Sequence, residues 1–281
     1  MNRKASLILL CLLLLAPAYW LILKLIPEPY KALHAKLDQV VKIRNERAIP
    51  CSQVLKQRPQ VILALGQSNA ANSGEKVPVV AAPVSLFAEG KCLMAADPLP
   101  GGTGQGGSIW SRLPHQLSIL KPQQNLVLSV LSVDGTSIED WTGDNSPLRK
   151  RLEHHLTTMT AMGLTPQLIL WQQGEAEART GTTEAAYGAG LDQLAAILEL
   201  TGIHAPIVVA QSTVCRSAPN AQIRAAISAK VANSARFKQG PDTDTLIGQD
   251  LRHDGCHFSE AGLDKAAQHW AQTILKLASA P

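Results

Sequence analysis

The chain has little net charge for its length: 26 Lys and Arg against 22 Asp and Glu leave only +4. So even a balance names no charged partner. No block of basic residues is interleaved with aromatics, which argues against a nucleic-acid-binding surface. Internal repeats and low-complexity tracts are absent, and nothing in the composition marks general disorder. No Gly-Lys-Ser/Thr follows the glycine-rich stretch at 100–113, so a P-loop is excluded. Cysteine is scarce, with five residues in all.

What is present begins with an apolar N-terminus. Met1-Asn-Arg-Lys4 precedes "ASLILLCLLLLAPAYWLILKLIP", which only Lys24 interrupts. About 20 apolar residues cross a bilayer as a helix, and residues 5–23 have no polar face of the kind a buried soluble helix shows. A signal peptide would cleave near Ala16-Pro17-Ala18. The run continues through Trp20-Leu-Ile-Leu23, however, and Pro17 sits inside that site. The expectation is therefore a transmembrane helix over 1–26 that anchors the protein in a membrane. Lys31, Lys36, Lys42 and Arg44 follow it and leave its orientation open.

With Cys11 in that segment, Cys51, Cys92, Cys215 and Cys256 remain. An even set is compatible with two disulfides and with a periplasmic or otherwise extracytoplasmic domain. Four unpaired core residues are the alternative.

Residues 27–57 are polar with helical periodicity and read as a stalk or packing helix. From 58 to 281 the pattern changes. "VILAL" (61–65), "NLVLSVLSV" (125–133), "QLILW" (167–171), "PIVVAQS" (206–212) and "TLIG" (245–248) read as buried strands. Helical stretches near 108–120, 147–162, 183–201, 219–237 and 259–278 alternate with them. This predicts an α/β domain, a three-layer αβα sandwich around a central parallel sheet of about five strands. "VSLFAEGKCLM" (84–94) reads as an inserted hairpin.

Ligands of such sheets bind beyond the carboxyl ends of the strands. Gly66-Gln67-Ser68-Asn69 follows the first strand directly and puts Ser68 at that edge. Near the C-terminus, Asp254 and His257 stand three apart just before Ser259, a good N-cap. A serine that attacks an acyl carbon needs a base for its proton and an acid to orient that base. Asp250-Leu-Arg-His253 has the same spacing, but only His257 abuts the helix start. Gln173, Gly174 and Glu175 fall at the end of the third strand, where a carboxamide could donate to an oxyanion. Gly102-x-Gly104-x-x-Gly107 formally matches a dinucleotide fingerprint, but Pro98 and Pro100 stand where a strand is required. It reads better as a glycine turn that brings backbone amides to the Ser68 edge.

His154 and His155 are adjacent on one helix and diverge, which disfavours a shared metal. His253, Cys256 and His257 lack an evident fourth ligand, so no metal is expected.

Gly66-Gln-Ser-Asn69, the glycine turn ending at Gly107, "DGTSIEDW" (134–141), "WQQGE" (171–175), "GPDTDTL" (240–246) and "DGCHFSEAG" (254–262) occur in that order. Together they resemble the SGNH hydrolase superfamily, in its sialate O-acetylesterase and acetylxylan esterase-like branch, over about 58–278. The resemblance implies a serine esterase that removes O-acetyl groups from a carbohydrate without a cofactor. It implies Ser68 as nucleophile, His257 as base and Asp254 as its orienter, with the Ser68 amide, Gly107 and Gln173 as the oxyanion hole. The glycine could equally be Gly106. Gln67, Asn69, Thr136 and Glu175 are candidate substrate-binding residues. Asp134 replaces the branch's usual glycine, which could alter the pocket.

Cys256 would then pair with Cys215, which follows the fourth strand at the same edge, leaving Cys51 and Cys92 as the second pair. Trp110, Trp141 and Trp171 adjoin the motifs, and core packing fits at least two of them better than sugar stacking. Two rival readings stand: a lipid or thioester hydrolase of the same superfamily, and a non-catalytic carbohydrate-binding envelope protein.

Overall fold

The computed structural model describes residues 30–43, 47–76, 84–121 and 125–279. The chain divides into two compact units, Met1–Ala32 and Leu33–Pro281. Of the first, only Tyr30–Ala32 is described. The second unit holds the whole sheet.

That sheet has eight strands in the order β1-β4-β3-β5-β2-β6-β7-β8. They are β1 (Ala48–Ile49), β2 (Gln60–Gly66), β3 (Ser85–Ala88), β4 (Lys91–Met94), β5 (Leu126–Ser132), β6 (Leu168–Gln172), β7 (Ile207–Gln211) and β8 (Phe237–Asp242). The strands β3, β5, β2, β6, β7 and β8 run parallel. The strand β4 is antiparallel to both β3 and β1.

This corrects the expected parallel sheet of about five strands. The hairpin at 84–94 is not an insertion, because β3 pairs in parallel with β5 through Leu86 and Leu128. Residues 48–49, inside the expected stalk, add the edge strand β1. "TLIG" is not a strand. Thr243–Thr245 form a 3-10 turn, and the strand is the polar "FKQGPD" just before it. The expected transmembrane helix gains no support: no helix among the described residues is long and apolar enough to cross a membrane. The segment 1–26 itself lies outside the described residues.

Both faces of the sheet are covered, as continuous apolar strands require. On one face Ile62, Ala64, Leu128, Val130, Leu170 and Val208 share a core with Ile109, Trp110, Leu263 and Trp270. The last four belong to helices Ile109–Leu120 and Glu260–Ala278. Side chains alternate along a strand, so Leu63, Val127, Ile169 and Val209 point to the other face, where each is also fully buried. There Trp171 meets Trp141 edge-on at 5.4 Å and donates to the Tyr187 hydroxyl. Trp110, Trp141 and Trp171 are all fully buried, so packing is what they do.

The register sets up the site. Gly66 of β2 lies opposite Ser132 of β5 on one side and Gln172 of β6 on the other. Three strands therefore end level, and the loops after them emerge together. Connections leave β2 on one side toward β3 and β5, and on the other toward β6, β7 and β8. Such a reversal opens a crevice at the carboxyl edge.

Candidate active site

The first element is the turn after β2. Gly66 has φ +146°, and a Cβ there would stand 2.0 Å from the Gln172 carbonyl oxygen. Only glycine lets the chain turn this close to β6. Ser68–Ala70 then form one 3-10 turn. Trp110 Nε1 pins it by donating to the Ala70 carbonyl at 2.7 Å. Ser68 is 6% exposed, and its N–H has no acceptor among the described residues.

The second element is the loop before helix Glu260–Ala278, which Ser259 caps by accepting from the Gly262 N–H. His257 Nδ1 lies 2.9 Å from Asp254 Oδ2. Asp254 Oδ1 accepts the backbone N–H groups of Cys256 and His257 at 2.8 and 2.7 Å. Burial opposes ionisation of Asp254, but these N–H donors and the His257 ring outweigh it. The carboxyl is held well below the usual carboxylate range. With Nδ1–H donating to the carboxylate, Nε2 of His257 keeps its lone pair.

Two features fix this loop. Cys215 and Cys256 are disulfide-bonded. The guanidinium of Arg252, 1% exposed, donates to the carbonyls of Leu246, Thr243 and Cys256. Cys51 and Cys92 form a second disulfide, beside the β1–β4 pair at the sheet's far edge.

The third element is the start of helix Glu175–Thr180 after β6. Asn69 Nδ2 donates to Glu175 Oε1 at 2.7 Å and to the Cys256 carbonyl at 3.3 Å. Ser212 Oγ also donates to Glu175 Oε1. Glu175 Oε2 and Asn69 Oδ1 are buried without a partner among the described residues. Desolvation pushes the Glu175 carboxyl up to about 7, against the lowering effect of Asn69 and Ser212. Gln67 accepts the Ala176 N–H through Oε1 at 3.0 Å, so its carboxamide braces this helix start.

Gln173 is fully buried. Its Nε2 faces three acceptors: the Thr136 carbonyl at 3.2 Å, Gln67 Oε1 at 3.3 Å, and Glu177 Oε2. Tyr187 OH donates to Gln173 Oε1 at 2.9 Å, which fixes the carboxamide's orientation. Thr136 turns its own hydroxyl inward to the Val133 carbonyl and accepts from Trp141 Nε1. The glycine turn lies alongside. Gly106 packs so tightly that a Cβ would meet the Gly74 carbonyl oxygen at 2.0 Å. The Gly107 N–H donates to the Glu75 carbonyl at 3.1 Å, and the Gly106 N–H to the Asn72 carbonyl at 2.7 Å.

Hydrogen bonds thus join Gln67 to Gln173, Asn69 to Glu175 and the Cys256 carbonyl, and Asp254 to His257, with Ser68 on the turn between Gln67 and Asn69. The Gly107 and Gly106 amides are engaged elsewhere. Asp134, where the resembled branch has glycine, accepts from Ser73 Oγ at 2.8 Å, so its carboxylate is tied to the first loop. Sequence reasoning missed Arg216, Ser212, Glu177, Tyr187 and Arg252. Arg216 was within reach: it follows Cys215, so pairing Cys215 with Cys256 carries its guanidinium to Asp254, where Nη2 lies 3.0 Å from Oδ2. Cys256, being oxidised, offers no thiolate to a metal. Among the described residues His253, Asp254 and His257 are grouped so that they could hold one.

A chemistry of acyl transfer fits this arrangement: a hydroxyl at a tight turn, an imidazole oriented by a carboxylate, and N–H donors around them. Residues 58–276 match the family described as "Carbohydrate esterase, sialic acid-specific acetylesterase". No curated protein matches the chain. Several solved structures share its fold. An Arabidopsis thaliana protein aligns with TM-score 0.62 and 18% identity, over 78% of this chain and 98% of that one. A family 3 carbohydrate esterase of Clostridium thermocellum aligns at 0.51 and 14%, over 78% and 96%. The psychrotrophic esterase EstA of Pseudoalteromonas sp., solved with monoethylphosphonate as inhibitor, aligns at 0.52 and 15%, over 79% and 100%.

Proposed function

The chain belongs to the carbohydrate esterase family of sialic acid-specific acetylesterases, and from that premise we propose that it removes O-acetyl groups from a glycan as a serine esterase with Ser68 as nucleophile. Family membership makes it a carboxylic ester hydrolase for acetylated carbohydrates. The serine mechanism is the added step. In this reading His257 Nε2 takes the Ser68 proton as Oγ attacks the acetyl carbonyl, and Asp254 stabilises the imidazolium that forms. The sugar oxygen leaves with the proton from His257. Water, deprotonated by the same ring, then hydrolyses the acetyl-enzyme and returns Ser68.

The observation that carries this reading is the Asn69–Cys256 hydrogen bond. It ties the residue after Ser68 to the residue before His257, across 187 positions of sequence. The Ser68 N–H, without another acceptor, supplies one oxyanion donor. Gln173 supplies the second by exchange: its amide has two hydrogens for three acceptors, and the Gln67 contact at 3.3 Å is the longest. An oxyanion would replace that acceptor, while Gln67 Oε1 keeps the Ala176 N–H. The engaged Gly107 amide would join only if its bond to Glu75 opened.

The test is hydrolysis of p-nitrophenyl acetate, and acetate release from O-acetylated sugars, by the full chain and by Ser68→Ala. A fall of about 10³-fold or more in kcat, with an unchanged melting curve, supports the proposal. Retained activity in Ser68→Ala contradicts it.

A further inference from the structure

We propose that His253, Asp254 and His257 form an inhibitory site for a divalent transition-metal ion of zinc's type, and that the bound ion silences the esterase by occupying the His257 ring. The silencing rests on the function proposed above, whereas the ion site stands on geometry alone.

One ligand atom from each of the three residues lies within 4.8 Å of the other two. Zinc binds imidazole nitrogen and carboxylate oxygen at about 2.0–2.2 Å, so only a small convergence is needed. His253 can supply it, because its ring is exposed and makes no hydrogen bond among the described residues. The two rings stand 6.2 Å apart, with planes inclined by 31°.

The frame beneath them is rigid. The His253 N–H donates to the His257 carbonyl at 3.0 Å, and Arg252 bridges to Phe258 in antiparallel fashion. The Cys215–Cys256 disulfide and the buried Arg252 guanidinium close the base of the loop. Two imidazoles and a carboxylate, with a fourth position open to water, suit a borderline ion. A hard cation such as magnesium requires an oxygen shell that this set lacks.

His253 has no task in the ester chemistry, so its ligand role is separable from catalysis. Arg216 opposes the ion: its guanidinium lies 3.0 Å from Asp254 Oδ2, and its charge competes for the same carboxylate.

The experiment uses the tag-free full chain, stripped with a chelator, and zinc chloride as the probe. Calorimetry measures binding, and p-nitrophenyl acetate hydrolysis is followed in parallel, for the wild type, His253→Asn and Arg216→Gln, with magnesium chloride as control. Expected are an equivalent of zinc lost in His253→Asn, hydrolysis that falls as zinc binds, and recovery on adding chelator. His253→Asn should hydrolyse normally without zinc and need at least about tenfold more zinc for binding and inhibition. Arg216→Gln should need less zinc than the wild type. No zinc binding to the wild type, or binding and inhibition unchanged in His253→Asn, overturns the site. If the wild type shows no hydrolysis, calorimetry alone decides on the ion site, and the esterase reading fails separately.

Discussion

Asn69 Nδ2 donates to the carbonyl of Cys256 at 3.3 Å and to Glu175 Oε1 at 2.7 Å. One side chain thereby joins the turn after β2, the helix start after β6, and the loop before the last helix. The carboxamide adds to the Gln67–Ala176 and Glu75–Phe258 bonds that already tie these segments together, and among the described residues it is the one side chain that hydrogen-bonds across all three.

Asn69→Ala should therefore damage catalysis more than folding. Losing a buried donor costs about 1–3 kcal/mol. Misplacing a reacting group by about 1 Å costs roughly 10²-fold in rate. Steady-state kinetics on an acetyl ester should show kcat down by about that factor with KM little changed, and thermal melting a modest drop.

Glu175 gives a prediction about pH. Burial raises its carboxyl from 4.5 to about 7 in the folded chain. The folded state then binds a proton that the unfolded chain releases earlier. The stabilisation is complete below pH 4.5 and is lost as pH rises to about 7; its full size is about 3 kcal/mol. Glu175→Gln, which is neutral throughout, should remove this slope. Denaturant unfolding from pH 4 to pH 8 should show wild-type stability falling relative to the variant. Parallel curves would contradict the assignment.

Asp254 has the opposite sign. Backbone and ring donors hold its carboxyl low despite burial, so its stabilisation is present at neutral pH and lost on acidification. The carboxylate persists across any practical assay range. Asp254→Asn should cost about 10⁴-fold in kcat, at every pH tested, and no rise in pH should rescue it.

The two disulfides should separate stability from activity. Each closes 41 positions, a loop worth about 4 kcal/mol by chain entropy. Replacing Cys51 and Cys92 by alanine should lower Tm and leave kcat/KM intact, because that bond lies at the β1–β4 edge. Replacing Cys215 and Cys256 should lower both, since Cys256 adjoins His257. Equal kinetic effects of the two double variants would contradict this division.

How much of this the sequence disclosed follows from where the information is local. The strand β2 was legible because "VILAL" is a continuous apolar run ended by a glycine, and Ile62–Leu65 are fully buried. The strand β8 was not, because "FKQGPD" is polar and carries Gly240 and Pro241, features an edge strand tolerates. Its neighbour "TLIG" drew the assignment with two apolar residues, yet Ile247 is 60% exposed. The two-residue β1 has no pattern at all, being defined by β4.

At the site, Ser68, Asp254 and His257 stood in recognisable motifs, and Asp254 and His257 are hydrogen-bonded. The triple engagement of Gln173 was invisible, because Gln67 and Thr136 reach it from two distant loops, although Glu177 stands only four residues on. The engagement of the Gly107 amide by Glu75 depends likewise on a loop contact that no spacing encodes.

The most direct measurement is the site of reaction with a fluorophosphonate. The native full chain is treated with the probe, digested, and mapped by mass spectrometry. A single adduct on Ser68, abolished by prior unfolding and strongly reduced in His257→Ala, is the result expected if Ser68 is the activated nucleophile. No adduct on the native chain, or an adduct on another residue with Ser68 unmodified, would contradict the account.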